Sequence, residues 1–374
     1  MAYTETTRTS YGQRVGNSFK GIGAGILMFL AGTVLLWWNE GRTVKTTRML
    51  KEAQSKCVEL EDITSVNPDF NGKLVHATGF ADTKEILEDP EYGISVNAIQ
   101  LSRDVEYYQW VEHAHSETKD KVGGAQETVT TYTYEKEWVS SPVNSNDFKD
   151  PDYRGLNSVK KEVEAWKHYA SEVSFGAYKL NKSQIQSISG DEPIQSFYIG
   201  DETKAPEIGD VRVRFSCVRP ADITVISQVK GNTFEAFTAK NGYTYSTVNM
   251  GILSADEVFT SDHQSNKFLA WILRLLGFLL VMFGLRNVFN FIETLLKVLP
   301  FLANIIGWGV NLVCGLIAFV WSLLIIALAW LFYRPLLSIC LLVVAGAAIW
   351  YFAKKGKEKK AAEAAAAPAE TPAQ

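Results

Sequence analysis

The chain has few cysteines and histidines, two residue types that often perform catalysis or hold metals: its 374 residues include four cysteines and five histidines. It contains no CxxC pair, no two histidines at the spacing of one helix face, and no serine in a nucleophile-elbow sequence. We therefore predict that the protein is not an enzyme and needs no cofactor. The net charge of -4 and the lack of a large basic patch argue against nucleic acid as a partner.

Long apolar runs are what the sequence has in abundance. A helix needs roughly 20 apolar residues to cross the hydrocarbon core of a bilayer. The third apolar run, residues 301–333, would be about 50 Å long as a straight helix. That is too long for one bilayer, so the helix must tilt, bend or begin at the membrane interface. The fourth run, residues 336–353, follows directly after Arg334-Pro335, so spans three and four are predicted to form a tight antiparallel hairpin. The four predicted membrane-spanning helices are residues 21–38, 268–285, 301–333 and 336–353.

The sequence outside these runs predicts one large extramembrane domain, residues 39–267. The fold class is therefore a multi-pass α-helical membrane protein with a large, mainly β (α+β) extramembrane domain. Residues 286–300 carry apolar side chains at helical spacing, which fits either an amphipathic helix in the interface or an extension of span two or three. Residues 1–20 are predicted to be a cytoplasmic segment, and residues 354–374 a basic, then Ala- and Pro-rich, disordered tail.

The lysines after the fourth span predict the orientation. Five lysines lie between residues 354 and 360, and basic residues favour the cytoplasmic side. Four spans then place both termini in the cytoplasm and the large domain in a lumen or the periplasm. The basic residues that follow span one favour the inverted topology; they are Arg42, Lys45, Arg48 and Lys51.

Within the domain, β-branched and aromatic residues predict strands. Two long runs, residues 105–111 and 128–139, are predicted to pair as a hairpin with its turn at residues 121–126. Residues 211–217 alternate strictly between apolar and polar, which indicates a half-buried strand. One helix is predicted over residues 160–173, with Asn157 or Ser158 as its cap. The other predicted strands are residues 72–79, 223–229, 233–238 and 243–248.

Arg274 is the one charged residue inside the second predicted span. An ionisable group within a span is a candidate functional residue, although a long arginine side chain can also snorkel to the surface. Three glycines in the first span, within residues 21–25, resemble a glycine-rich phosphate-binding loop. Such a loop follows a strand, and no strand is predicted before these glycines. Because Gly21 and Gly25 are four residues apart, helix packing is the better interpretation.

Two pairs of residues in the domain invite a more specific interpretation. Cys57 and Cys217 are its only cysteines and could form a disulfide if the domain lies outside the cytoplasm; otherwise Cys217 is a buried thiol. His113 and His115 share one face of a strand, but a metal needs a third ligand and the spacing offers none. An exposed, polar strand end is therefore the interpretation we adopt for the histidines.

Eight segments, in order, resemble the LUMA family of four-pass membrane proteins, transmembrane protein forty-three. They fall along the chain with the same arrangement of one span, a large domain and three further spans. The segments are Asn39-Glu40-Gly41-Arg42, residues 72–79, 89–93, 105–112, Tyr132-Thr133-Tyr134 with Glu137-Trp138, residues 207–213, 254–259 and 330–336.

The resemblance implies a function without assigning catalytic residues. Animal members of the family lie in the endoplasmic reticulum and inner nuclear membrane, and are linked to nuclear-envelope organisation through emerin and lamin contacts, and to lipid metabolism. A bacterial member would lie in the cell inner membrane. We predict a membrane scaffold with membrane lipids and other membrane proteins as partners, including a homo-oligomer. The alternatives are an ion-conducting pore and a lipid-binding protein.

Overall fold

The computed structural model describes residues 3–296 and 300–335. The predicted fourth span and the tail therefore lie outside the described residues. The chain divides into two compact units. The β unit contains the described parts of residues 1–19, 45–267 and 291–307, and the membrane unit those of residues 20–44, 268–290 and 308–374.

The β unit is built from two larger sheets and two short hairpins. The strands are β1 (Tyr3–Thr9), β2 (Val58–Glu59), β3 (Leu74–Asp82), β4 (Ile86–Asp89), β5 (Ile94–Asn97), β6 (Gln100–Asp120), β7 (Gln126–Val139), β8 (Trp166–Tyr169), β9 (Ser174–Phe175), β10 (Tyr178–Lys179), β11 (Glu192–Ile199), β12 (Val211–Val218), β13 (Ala221–Lys230), β14 (Thr233–Glu235), β15 (Phe237–Thr238), β16 (Thr244–Tyr245) and β17 (Thr247–Met250). In the first sheet the strand order is β1-β7-β6-β12-β11, with β8 also paired to β6. In the second sheet the strand order is β17-β13-β14-β10-β9-β3-β2, with an additional β13–β3 pairing.

The predicted hairpin is the longest feature of the first sheet. β6 and β7 pair antiparallel from Tyr107–Val139 to Asp120–Gln126, so β6 begins earlier and ends later than the predicted strand. Gly123 and Gly124 at the turn have φ values of 90° and 83°, a conformation that glycine adopts at little cost. The alternating strand at residues 211–217 is confirmed, because Val211, Val213, Phe215 and Cys217 are all in the apolar core.

The helix predicted over residues 160–173 is wrong. This stretch contains β8, whose four residues pair with the start of β6. Asn157 does not cap a helix but forms two hydrogen bonds with the backbone of Trp110, to its N–H at 2.8 Å and its C=O at 3.0 Å. Pairing with a neighbouring strand thus overrides the weak local preference for helix.

The N-terminal segment, which the sequence predicts to stand apart from the domain, is incorporated into the first sheet. β1 pairs antiparallel with β7, from Tyr3–Tyr132 to Thr9–Gln126. Arg14, just beyond the strand, is buried and forms a 2.8 Å ion pair with Asp120 at the end of β6. This segment therefore belongs to the β unit.

Three of the helices among the described residues are long and apolar enough to cross a membrane; they include the first two predicted spans and the part of the third from Gly309 to Tyr333. The second predicted span continues without a break to Leu296, so the structure shows the extension rather than a separate interfacial helix over the described part of residues 286–300. The helices are α1 (Tyr11–Lys56), α2 (Lys182–Ser187), α3 (Ala255–Leu296) and α4 (Pro300–Tyr333).

The domain ends of α1 and α3 pack into the β unit. Met49 and Leu50 of α1 and Val258 and Phe259 of α3 share an apolar cluster with the sheet. The buried imidazole of His76 adds a polar connection: its Nδ1 lies 2.6 Å from the Glu59 carboxylate, which follows α1, and its Nε2 lies 2.8 Å from the carbonyl oxygen of Leu253, which precedes α3. The segment that follows α1 and the segment that precedes α3 are thereby both held to β3.

Candidate functional site in the membrane-spanning helices

Within the membrane unit, α1 and α3 approach so closely that their contact positions have no room for larger side chains. A Cβ atom added to Gly25 would lie 2.7 Å from the carbonyl oxygen of Gly284, and one added to Gly32 would lie 2.8 Å from that of Gly277. The next contact is a 3.0 Å hydrogen bond from the Asn39 side chain to the carbonyl oxygen of Ala270.

These three contacts recur every seven residues along both antiparallel helices. A seven-residue repeat is the period at which two supercoiled helices keep the same faces together. Small residues at such positions let membrane helices approach closely and pack well. We call this contact line the glycine seam: Gly25, Gly32 and Asn39 on α1, with Ala270, Gly277 and Gly284 on α3. The predicted packing role is confirmed for Gly25 but not for Gly21, where an added Cβ would meet no atom of the described residues within 4 Å.

At one end of the glycine seam, three helices meet at a carboxylate. Glu40 of α1 accepts two hydrogen bonds from the Arg274 guanidinium of α3, at 2.6 Å from Nε and 3.0 Å from a terminal nitrogen. Trp330 of α4 donates its indole N–H to the same carboxylate at 2.7 Å. The guanidinium also lies over the Trp271 ring, 4.9 Å from its centre. We call Glu40, Arg274 and Trp330 the charge cluster.

Burial makes the charge cluster energetically important. The Glu40 side chain is fully buried, and the Arg274 side chain is 16% exposed. Removing two charges from water carries a large desolvation cost, which an ion pair offsets only with good geometry and additional hydrogen bonds. The bidentate pairing and the indole N–H supply both. Arg274 therefore does not snorkel to the surface but is bonded between helices.

Aromatic contacts next to the charge cluster also hold α4 against α1. Tyr333, close to Trp330 on α4, lies against the backbone of α1, where a Cβ added to Gly41 would be 2.7 Å from its ring. Trp37 of α1 also contacts the Tyr333 ring, with 6.0 Å between ring centres. The contact between α1 and α4 thus depends on a close approach at residues 37–41.

The structure does not bring the two predicted disulfide partners together. Cys57 and Cys217 are both free and belong to different apolar clusters. Burial raises the pKa of the Cys57 thiol to about 11 and also raises the pKa of Cys217. Both are therefore protonated near neutral pH, a state in which a thiol is a poor nucleophile.

The histidine pair has partners that its spacing does not reveal. The Nε2 atom of His113 lies 2.7 Å from a carboxylate oxygen of Glu137, and Glu135 is beside them. His115 is not part of this group. The facing strand supplies the acidic residues, and only the hairpin register identifies them.

Sequence reasoning selects Arg274 but misses its partners. Glu40 directly follows the first apolar run, where polar residues are ordinary, while Trp330 lies within the third run among many apolar residues. A signal for the carboxylate is nevertheless present. Ionisable residues within spans usually pair with one another, so Arg274 predicts an acidic partner near the end of a neighbouring span.

Comparison with known proteins assigns the family. A family model described as Transmembrane protein 43 matches residues 107–335. The chain is also 32% identical to Transmembrane protein 43 of Homo sapiens over 363 residues, which cover 90% of each chain. The chain belongs to the transmembrane protein 43 family.

Other relatives extend the transmembrane protein 43 family to rodents and insects. Identity is 32% over 359 residues to the protein of Rattus norvegicus, covering 89% of each chain. It is 29% over 352 residues to the Transmembrane protein 43 homolog of Drosophila melanogaster, covering 87% of this chain and 93% of the homolog. No solved structure is significantly similar to the chain. Glu40 and Trp330 both lie within segments that carry the family resemblance, residues 39–42 and 330–336.

Proposed function

We propose that this protein is a non-enzymatic membrane scaffold whose β unit holds other membrane proteins. The observation that carries the proposal is a set of half-buried aromatic side chains on one face of the first sheet. We call this set the aromatic band. It comprises Tyr108, Trp110, Tyr134, Trp138, Tyr153 and Tyr198.

The aromatic band is ordered by contacts among its own rings. Tyr134 stacks on Tyr153 with 4.1 Å between ring centres, and Trp110 meets Tyr153 edge to face at 4.9 Å. Trp138 lies between Tyr108 and Tyr198, at 5.1 and 6.1 Å. Rings held in this way lose little further freedom when a partner binds.

Two cations complete the surface. The Arg212 guanidinium lies 4.5 Å from the centre of the Trp138 ring, and the Lys136 ammonium lies 5.0 Å from that of Trp110. Trp, Tyr and Arg are the residues most enriched at the energetic centres of protein–protein interfaces. Ring edges, ring faces and fixed cations therefore favour a protein partner for this face.

The charge cluster supports a structural role for the membrane unit rather than a role in ion transport. Because Arg274 and Glu40 neutralise each other, the cluster leaves no free charge with which to bind a passing ion. The ion-conducting pore therefore loses Arg274, its main candidate for a residue that contacts the conducted ion. The lipid-binding alternative rests on an interfacial helix, and the described part of residues 286–300 continues α3 instead.

Photo-crosslinking tests the scaffold directly. A photoreactive phenylalanine analogue replaces Trp110 or Tyr153 in the full chain, in the native membrane of the source cell. We expect each position to give the same crosslinked membrane protein, or a crosslinked dimer of this chain, because the aromatic band is the contact surface.

A matched position on the same strand provides the control. Thr118 is exposed on β6 beyond the aromatic band, and the analogue placed there should give no such product. If the Trp110 and Tyr153 positions yield no product above the Thr118 background, the scaffold proposal fails in this form. The same crosslinked partner should also be lost when Trp138→Ser is added.

The host membrane and orientation are further proposals. We infer an endoplasmic reticulum or inner nuclear membrane in a eukaryotic source and a cell inner membrane in a bacterial one, with the C-terminal lysines in the cytoplasm and the β unit in the lumen or periplasm. For the N-terminal segment, the charge pattern and the strand pairing disagree. The charge pattern predicts that residues 1–20 and the β unit lie on opposite sides of the membrane. Pairing of β1 with β7 requires both strands to be on the same side, because open polar sheets do not cross hydrocarbon.

Cysteine accessibility in sealed vesicles resolves the orientation. Single cysteines replace Thr6 and Val122 in a chain without its four native cysteines, and a membrane-impermeant maleimide labels them from one side. The charge-based orientation predicts reaction from opposite sides. Reaction of both from the same side would support the strand pairing and overturn the prediction that residues 21–38 of α1 cross the membrane between them.

A further inference from the structure

One face of the β6–β7 hairpin brings a histidine and two carboxylates together. The register pairs His113 with Thr133, while Val111 and Gln109 pair with Glu135 and Glu137. Residues two apart on a strand share a face, so His113, Glu135 and Glu137 project to the same side of the hairpin. Their nitrogen and oxygen ligand atoms all lie within 4.8 Å of one another.

Among the residues the structure describes, no lysine or arginine forms an ion pair with Glu135 or Glu137. Glu135 and Glu137 are like charges on one strand face, and His113 at 2.7 Å from Glu137 is the only basic side chain that pairs with either, among the residues the structure describes. Lys136 points to the other face, over the ring of Trp110. A cation held between the carboxylates would remove their repulsion.

The ligand atoms select the class of cation. One imidazole nitrogen and two carboxylate oxygens are a donor set that zinc binds, with bond lengths of about 2.0–2.2 Å. Calcium would require six to eight oxygen ligands, and magnesium retains most of its water. Among divalent ions, imidazole favours the later transition metals.

We propose that His113, Glu135 and Glu137 form a zinc-binding site that clips β6 to β7. Tetrahedral ligands around zinc lie about 3.3 Å apart, so side-chain rotation alone brings these three groups into position. The side chains of His113 and Glu137 are 49% and 40% exposed, which leaves them free to rotate and leaves the fourth position to water. The backbone of the hairpin supplies the rigid frame.

Zinc binding is measured on the full chain in detergent micelles, without an affinity tag, by competition with a chromogenic chelator. We expect one zinc ion per chain at this site. Cobalt serves as a spectroscopic probe, and it should give the visible absorption of a tetrahedral site with nitrogen and oxygen ligands. Hydrogen exchange of the hairpin amides around residues 113 and 135 should slow when zinc is added.

Variants identify the ligands. His113→Ala and the double variant Glu135→Gln with Glu137→Gln should abolish both the saturable zinc binding and the slowed exchange. His115→Ala is the matched control, because His115 lies two residues along the same strand face but outside the group, and it should bind zinc normally. All these residues are outside the apolar core, so the variants should fold.

Three results would overturn the proposal. One is zinc binding that is unchanged in His113→Ala. Another is a thiolate-to-cobalt charge-transfer band, which would assign the metal to a cysteine. The third is the absence of saturable binding in the unaltered chain. Failure here would not affect the scaffold proposal, because the aromatic band is on the opposite face of the hairpin.

Discussion

Glu40→Gln is expected to lower the free energy of unfolding of the membrane unit by about 3–5 kcal/mol, because it leaves the mostly buried Arg274 guanidinium without a countercharge. Arg274→Met should cost a similar amount by leaving the Glu40 carboxylate uncompensated. Trp330→Phe removes only one hydrogen bond to a charged group and should cost about 1.5–3 kcal/mol. Reversible unfolding in mixed micelles, followed by tryptophan fluorescence, measures all three.

Arg286→Met is the control for this series. Arg286 is on the same helix as Arg274 but is exposed, and the substitution removes the same charge. Its effect on the unfolding free energy should be small. If Arg286→Met destabilises the protein as much as Arg274→Met does, the loss comes from a general change of helix charge and not from the charge cluster.

The second large effect is expected at the glycine seam. Gly25→Val should lower the unfolding free energy by about 1–3 kcal/mol or more, because its Cβ would collide with the backbone of Gly284 and force α1 and α3 apart. The same applies to Gly284→Val, where the Cβ would lie 2.6 Å from the backbone nitrogen of Phe29.

Gly21→Val provides a matched comparison on the same helix. A Cβ at Gly21 meets no atom of the described residues within 4 Å, so this variant carries the same intrinsic helix preference without the collision. Gly21→Val should therefore be close to neutral. Equal losses at Gly21 and Gly25 would mean that valine itself, rather than the seam, destabilises α1.

Much of the membrane unit can be predicted from the sequence. The hydrophobic runs identify the spans because no water is present inside hydrocarbon to satisfy backbone groups, which makes helices obligatory there. Two glycine pairs, Gly25 with Gly32 and Gly277 with Gly284, are each seven residues apart in the sequence. That shared spacing is a signal for the seam that the sequence alone carries.

The charge cluster is only partly predictable. Arg274 stands out because it is the only charge in its span, but nothing local to Glu40 shows whether it faces water or another helix. The indole of Trp330 is likewise one of several aromatic side chains in the third span. Only the placement of three helices together decides that these residues meet.

In the β unit, local patterns succeed where turns and alternation are strong. The hairpin with Gly123 and Gly124 at its turn and the alternating strand at residues 211–217 are predicted correctly. The predicted helix over residues 160–173 is wrong because β8 gains backbone hydrogen bonds from β6, a contact between residues more than 60 apart. Pairing of β1 with β7 cannot be predicted for the same reason.

The most direct test of the charge cluster is a double-mutant cycle on Glu40→Gln and Arg274→Met. If Glu40 and Arg274 stabilise the helices by neutralising each other, the double variant removes both charges and should be less destabilised than either single variant. The unfolding free energies of all four proteins, measured in the same micelles, give the coupling. Losses that simply add in the double variant would contradict this account and show that the two residues act independently.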